Sequence, residues 1–125
     1  MNGTPPLVVV IEDDIGMRQA LQRWLRASGY RALAFDSAEA LLSADGSRDA
    51  ACLVLDVALP GVSGIELYAQ LGSHRPPAVF VTSHDGADVR GAVARLGGTA
   101  MLTKPFLGDE LMAAIARATG RDAPP

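Results

Sequence analysis

Short apolar runs alternate with longer stretches of helical periodicity along the whole chain. Leu7 to Ile11 is apolar throughout, and four of its five residues are β-branched, which predicts a strand buried on both faces. From Ile15 to Ser28, Met17, Leu21, Trp24, Leu25 and Ser28 recur at helical spacing with Arg18, Gln22, Arg23 and Arg26 between them, and Gly29 is placed to end the helix. Trp24 is expected on the core side of that helix. Arg31 to Phe35 predicts a second strand. Asp36-Ser37-Ala38-Glu39 then offers a helix cap ahead of Ala40, Leu41 and Leu42, and Ala44 to Asp49 reads as a polar loop. Cys52 to Asp56 is a third strand that stops at Pro60-Gly61, and Ile65 to Leu71 carries Ile65, Leu67, Tyr68 and Leu71 into a third helix ending near Gly72. Ala78 to Val81 is a fourth strand ending in Thr82-Ser83, and Asp88 to Leu96 a helix closed by Gly97-Gly98. Ala100 to Thr103 is a weaker fifth strand, and Leu107 or Gly108 to Ala118 a last helix with Leu111, Met112, Ile115 and Ala118 on one face.

Strands that alternate with helices need crossover connections, so the class is α/β: a doubly wound, five-stranded parallel sheet with five helices distributed over both faces. Five strands favour a flavodoxin-like order over a six-stranded dinucleotide fold, although periodicity alone does not fix the order. The 125 residues make one domain. Its expected limits are a leader over 1–6, the domain over 7–119, and a tail or linker over 120–125.

Composition narrows the function classes. The net charge is −3 and the eleven basic residues are scattered, which argues against direct nucleic-acid binding by this chain. Cys52 is the only cysteine and sits inside an apolar strand, so no disulfide framework is expected and a reducing compartment fits. The amino-terminal residues lack a basic region followed by an apolar segment, and no apolar run approaches membrane-spanning length. The expected location is the cytoplasm, with no membrane partner.

The chemistry lies where the strands stop. The first ends in Glu12-Asp13-Asp14, the third in Asp56, the fourth in Thr82-Ser83 and the fifth meets Lys104-Pro105-Phe106, and parallel strands bring these to one sheet edge. Clustered carboxylates repel one another unless a cation neutralises them. A hard divalent ion with oxygen ligands joins carboxylates to phosphoryl oxygens, which points to phosphoryl chemistry on Asp56. The plain alternative for Asp56 is a turn or helix-cap aspartate. Phosphoryl transfer needs alignment and charge stabilisation more than covalent chemistry, and an ammonium and a hydroxyl of the Lys104 and Thr82 types suit that task.

Taken together, Val10-Ile11-Glu12-Asp13-Asp14, Leu55-Asp56 with Leu59-Pro60-Gly61 and Gly64, Thr82-Ser83, and Lys104-Pro105-Phe106 resemble the receiver domains of two-component response regulators of the chemotaxis-regulator type. The resemblance covers residues 7 to 118. It implies the strand order 2-1-3-4-5 and Asp56 as the phosphoacceptor. Mg2+ or Mn2+ would be held directly by Asp13 and Asp56, through water by Glu12, and by the backbone carbonyl of Ala58. Thr82 would move toward the phosphoryl group, Lys104 would contact it, and a cis peptide before Pro105 would aim Lys104 inward. The resemblance places Ala58 and His84 where phosphate lifetime is set, while His84 also reads as a plain loop residue, as does His74. Asp14 reads better as a helix cap than as a third metal acid. The implied donor is a sensor histidine kinase or histidine phosphotransfer protein docking on the first-helix region around Arg18, and the implied response includes homodimerisation. The stretch Phe35 to Leu42 further resembles receivers of helix-turn-helix transcription regulators.

One departure stands out. Three residues before the lysine the family carries Tyr or Phe, and here Met101 takes that place, so Thr82 with its adjoining loop and helix is expected to carry more of the switching. A haloacid-dehalogenase-type phosphatase would want a second acid where Ala58 stands. A flavin module would want a phosphate loop where Glu12-Asp13-Asp14 stands. The reading is therefore a signalling switch rather than a metabolic enzyme, acting only in its own phosphotransfer and dephosphorylation. The competing reading is a receiver-like interaction module that works without phosphate.

Overall fold

The computed structural model describes residues 4–73, 75–83, 86–97 and 100–120. The readings of His74, His84 and Gly98, most of the tail and half of the leader fall outside the described residues.

Five strands, β1 (Leu7–Ile11), β2 (Arg31–Phe35), β3 (Cys52–Asp56), β4 (Ala78–Thr82) and β5 (Ala100–Thr103), form one parallel sheet in the order β2-β1-β3-β4-β5. Between and after them run α1 (Ile15–Ala27), α2 (Ala38–Ala44), α3 (Gly64–Gln70), α4 (Ala87–Arg95) and α5 (Gly108–Ala118). This is the flavodoxin-like order. Observed helix ends differ from the periodicity by about a residue because caps, which periodicity does not register, set them. Ser28 closes α1 instead of belonging to it, and α3 and α4 each begin and end one residue earlier than expected.

Strand alternation divides the core in two. Val8, Val10, Cys52, Val54, Val79 and Val81 face one side and pack with Leu21 and Leu25 of α1 and Leu111 and Ile115 of α5. Val9, Ile11, Leu53, Leu55 and Phe80 face the other and pack with Leu41 of α2, Leu67 and Tyr68 of α3 and Val93 of α4. Both faces of the three central strands are covered, which is why those strands read as unbroken apolar runs. Burial pushes the Cys52 thiol up to about 12, so at neutral pH it is a packed, protonated side chain.

Trp24 departs from its expected place: it is 41% exposed and lies over Gly108, at the contact of α1 with the start of α5. Leu21 and Leu25 hold the inward line of α1, and Trp24 is turned about 100° from Leu25 around the helix axis, onto its flank.

The caps separate fixed helix starts from loose ones. The Asp14 carboxylate accepts the Met17 N–H at 2.7 Å and so caps α1. Ser37 caps α2, and Ser63 with Glu66 forms a reciprocal capping box on α3. α4 starts at Gly86 with no side-chain cap. Its other end is tied: Arg75 donates to the Leu96 carbonyl at 2.6 Å while its guanidinium lies 4.5 Å from the centre of the Tyr68 ring, and the Tyr68 hydroxyl donates to the Pro76 carbonyl at 2.8 Å.

The turn from β3 into α3 is tight. A Cβ built on Gly64 would stand 2.3 Å from the Asp56 carbonyl oxygen and 3.0 Å from its carbon, so only glycine lets α3 begin this close to the end of β3. Gly64→Ala is expected to lower stability by about 2 kcal/mol through this overpacking. Urea unfolding with an unchanged slope measures it, and a wild-type midpoint would contradict the contact.

Candidate functional site

Three strands deliver the charged residues. Glu12 follows Ile11, Asp56 ends β3 and Lys104 follows Thr103, and each continues the alternation that places Val10, Val54 and Leu102 on the α1/α5 side of the sheet. Ile11 pairs with Leu55, so Glu12 and Asp56 stand at the same level of neighbouring strands. β1 and β3 are also the strands at which the chain reverses its direction across the sheet, the place where open α/β sheets leave a crevice. Lys104 comes from two strands beyond β3, about 10 Å at ordinary spacing, and its long side chain bridges the distance. The Lys104–Pro105 peptide is cis.

Lys104 Nζ donates to Asp56 Oδ2 at 2.8 Å and to Glu12 Oε1 at 3.0 Å. The remaining carboxylate oxygens are held by backbone: the Ala58 N–H donates to Asp56 Oδ1 at 2.9 Å and the Asp14 N–H to Glu12 Oε2 at 3.1 Å. Glu12 and Asp56 are 1% and 5% exposed, so these contacts replace water. Burial raises the Glu12 pKa above its ordinary 4.5 and the Asp56 charge adds to the rise, against the Asp14 N–H and Lys104, which lower it. Burial works against the Lys104 charge, but its bonds to Asp56 and Glu12 outweigh that and raise its pKa above 10.5. The ammonium is therefore fixed as a cation.

Glu12, Asp13 and Asp56 each present one oxygen within 4.8 Å of the others, with Asp13 on the exposed side. Three hard oxygen donors set against a single ammonium fit a divalent cation of the Mg2+ class better than a soft metal. Thr82 is buried at the end of β4, level with Thr103 and one position beyond the Val81 that pairs with Asp56. Met101 pairs with Phe80 and packs into the core on the α4 side. Ala58 is exposed and enters the site through its N–H.

Two features had no signal in the sequence pattern. The Ala58 N–H bond is a backbone contact, invisible to residue type. Arg18 turns toward the acidic loop and donates to the Glu12 carbonyl at 2.9 Å and the Asp13 carbonyl at 3.4 Å; only its place one turn into α1 hinted at this reach.

A sequence model of the response regulator receiver domain matches residues 8–116, the span that contains all four motif-bearing strand ends. The chain belongs to the response regulator receiver family. Nodulation protein W of Bradyrhizobium diazoefficiens is 37% identical over 121 residues, covering 95% of this chain and 53% of that protein. The transcriptional regulatory protein FixJ of the same organism is 35% identical over 119 residues, covering 94% and 58%. The chain thus spans about half the length of these curated relatives. Among solved structures, a response regulator receiver protein from Burkholderia phymatum superposes with a TM-score of 0.82 at 36% identity, covering 96% of this chain and 99% of that one. Receiver domains act as signalling switches, and the fold and motif order of this one agree with that class. Among the described residues, no helix is long and apolar enough to cross a membrane.

Removing the ammonium from this receiver domain tests its electrostatics. In metal-free buffer at neutral pH, Lys104→Met is expected to lose about 2 kcal/mol, less than the ~3–5 kcal/mol of a fully buried pair because the lysine keeps some solvent contact. Glu12 already binds its proton more tightly in the fold than in the unfolded chain, and without Lys104 more tightly still. Such a group favours the fold below its unfolded pKa and works against it as pH rises through the folded one. The deficit relative to wild type should therefore be largest near neutrality and shrink as pH falls toward 4.5, as urea unfolding across that range will report.

Proposed function

We propose that the chain is a phosphoacceptor receiver: Asp56 takes a phosphoryl group from a phosphohistidine of a sensor kinase or phosphotransfer protein, and the modified domain switches its partner or dimer surfaces. The observation that carries the reading is the Asp56 carboxylate held at the sheet edge between Lys104 Nζ and the Ala58 N–H, with Glu12 and Asp13 beside it.

An Asp56 carboxylate oxygen attacks phosphorus as the P–N bond breaks; the imidazole keeps the electron pair and takes up a proton. Lys104 supports this step by staying charged and meeting the anionic phosphoryl oxygens with an ammonium that today divides itself between Glu12 and Asp56. Thr82, at the end of the neighbouring strand, is the hydroxyl placed to answer the new charge. Mg2+ or Mn2+ held by Asp13 and Asp56, with the Ala58 carbonyl and with Glu12 acting through water, would supply further positive charge to the transferring group. Ala58 and His84 are assigned the positions that govern phosphate lifetime, and slow self-dephosphorylation is the only turnover ascribed to the chain.

Phosphorylation adds charge beside a buried site and biases a two-state surface around α4 and β5. With Met101 packed against the core where the family's aromatic residue stands, Thr82 and α4 carry the response. The chain corresponds to about half of a relative named a transcriptional regulatory protein, which supports transcription as the output and the cytoplasm as the place of action.

Incubation with acetyl phosphate and Mg2+ is expected to add the mass of one phosphoryl group to wild type and none to Asp56→Asn; labelling of the variant would remove Asp56 from the reading. Thr82→Ala should still be labelled, yet lose the phosphorylation-dependent shifts of α4 amide resonances. Retention of those shifts would move the switch elsewhere.

A further inference from the structure

We infer that Arg18 is a positioning residue for the metal site: it aims the Asp13 carboxylate by clamping the two peptide planes on either side of the Asp13 Cα. This role rests on the metal reading proposed above. Arg18 stands in the first turn and a half of α1, half-buried, and one guanidinium nitrogen, Nη1, donates to the carbonyl of Glu12 and to that of Asp13. Those two carbonyls belong to the peptide that precedes the Asp13 Cα and the peptide that follows it. The second plane is held at its other end as well, because the Asp14 N–H donates to Glu12 Oε2. With both planes fixed, the direction of the Asp13 Cα–Cβ bond is fixed.

Asp13 needs such help more than its neighbours do. Glu12 and Asp56 are buried and each has its carboxylate oxygens bound, whereas Asp13 is exposed, which leaves its direction less constrained by burial. Arg18 suits the task because the guanidinium carries donors only, and its Nη1 reaches both carbonyls. Its placement is also electrostatically contrary. A positive side chain beside a cation site repels the cation, so its charge alone opposes binding. Among the described residues, its guanidinium engages carbonyls rather than a carboxylate, which marks geometry as its contribution.

That opposition of sign makes the test decisive. Mg2+ is titrated calorimetrically into the metal-free full chain as wild type, Arg18→Met and Arg18→Lys. Met keeps the apolar stem and removes both donors and charge; Lys keeps the charge and a donating nitrogen on a differently shaped head. Positioning predicts about tenfold weaker Mg2+ binding by Arg18→Met, in line with the loss of groups that orient metal ligands, and partial recovery by Arg18→Lys. Charge alone predicts the reverse order, with Arg18→Met the tightest binder. Amide exchange without metal gives a second reading: faster exchange at Asp14 in Arg18→Met, with the strands unchanged, is the expected result, and uniform acceleration or none would overturn the clamp. Equal or tighter Mg2+ binding by Arg18→Met would overturn the positioning role alone. A wild-type chain that takes up no Mg2+ would overturn the metal reading, and this role with it.

Discussion

The arrangement depends on one ammonium. Two carboxylates, Glu12 and Asp56, leave water at adjacent strand ends, and burying two acids side by side is costly without a cation of matching reach. Lys104 supplies it from across β4, which ties the level of β5 to that of β1 and β3. The parallel register is therefore more than a packing solution: a one-residue slip of β5 would carry Lys104 to the opposite face and leave the acids facing each other. The balance is also deliberately short. Counting Asp13, three carboxylates cluster where Lys104 brings one ammonium, and the excess of negative charge is what the proposed divalent ion would offset.

Much of this could be read from the chain alone, because the informative residues are the ones whose types are costly to misplace. Buried strands announce themselves as unbroken apolar runs, and acids, a hydroxyl and a lysine at their ends are types costly to bury without partners. Asp14 was separable from its two acidic neighbours because a carboxylate at the first turn of a helix has a structural use of its own. The residues that escaped did so for equally physical reasons. Trp24 is large and apolar, yet a one-residue rotation about α1 decides between core and flank, and periodicity is coarser than that. Arg18 and the Ala58 N–H act through carbonyls and amides that every residue possesses. The missing cap on α4 is the converse case: Gly86 satisfies the turn but contributes no acceptor.

Met101 changes how a signal can leave the site. An aromatic ring at that place moves as a rigid plate, whereas a thioether chain fills the space by bending. Here it already packs beside Phe80 in the cluster shared with α4. Under the proposed function, information from Asp56 would then pass through backbone and β4 more than through a swinging side chain, with the helix beside it as the receiver of that movement.

The Arg75 contact gives that helix a mechanical character. Its carboxyl end is held at Leu96 by a guanidinium braced on Tyr68, which is itself braced on Phe80 at 5.5 Å and on the Pro76 carbonyl, while its amino end has no side-chain cap. A rod held more firmly at one end moves most at the other. With the Leu96 bond kept, α4 would act as a lever whose fulcrum lies far from Asp56, with its greatest travel at Ala87, where the chain has just left Thr82. A small displacement at the strand end would thus be read out as an angle, magnified along the length of the helix.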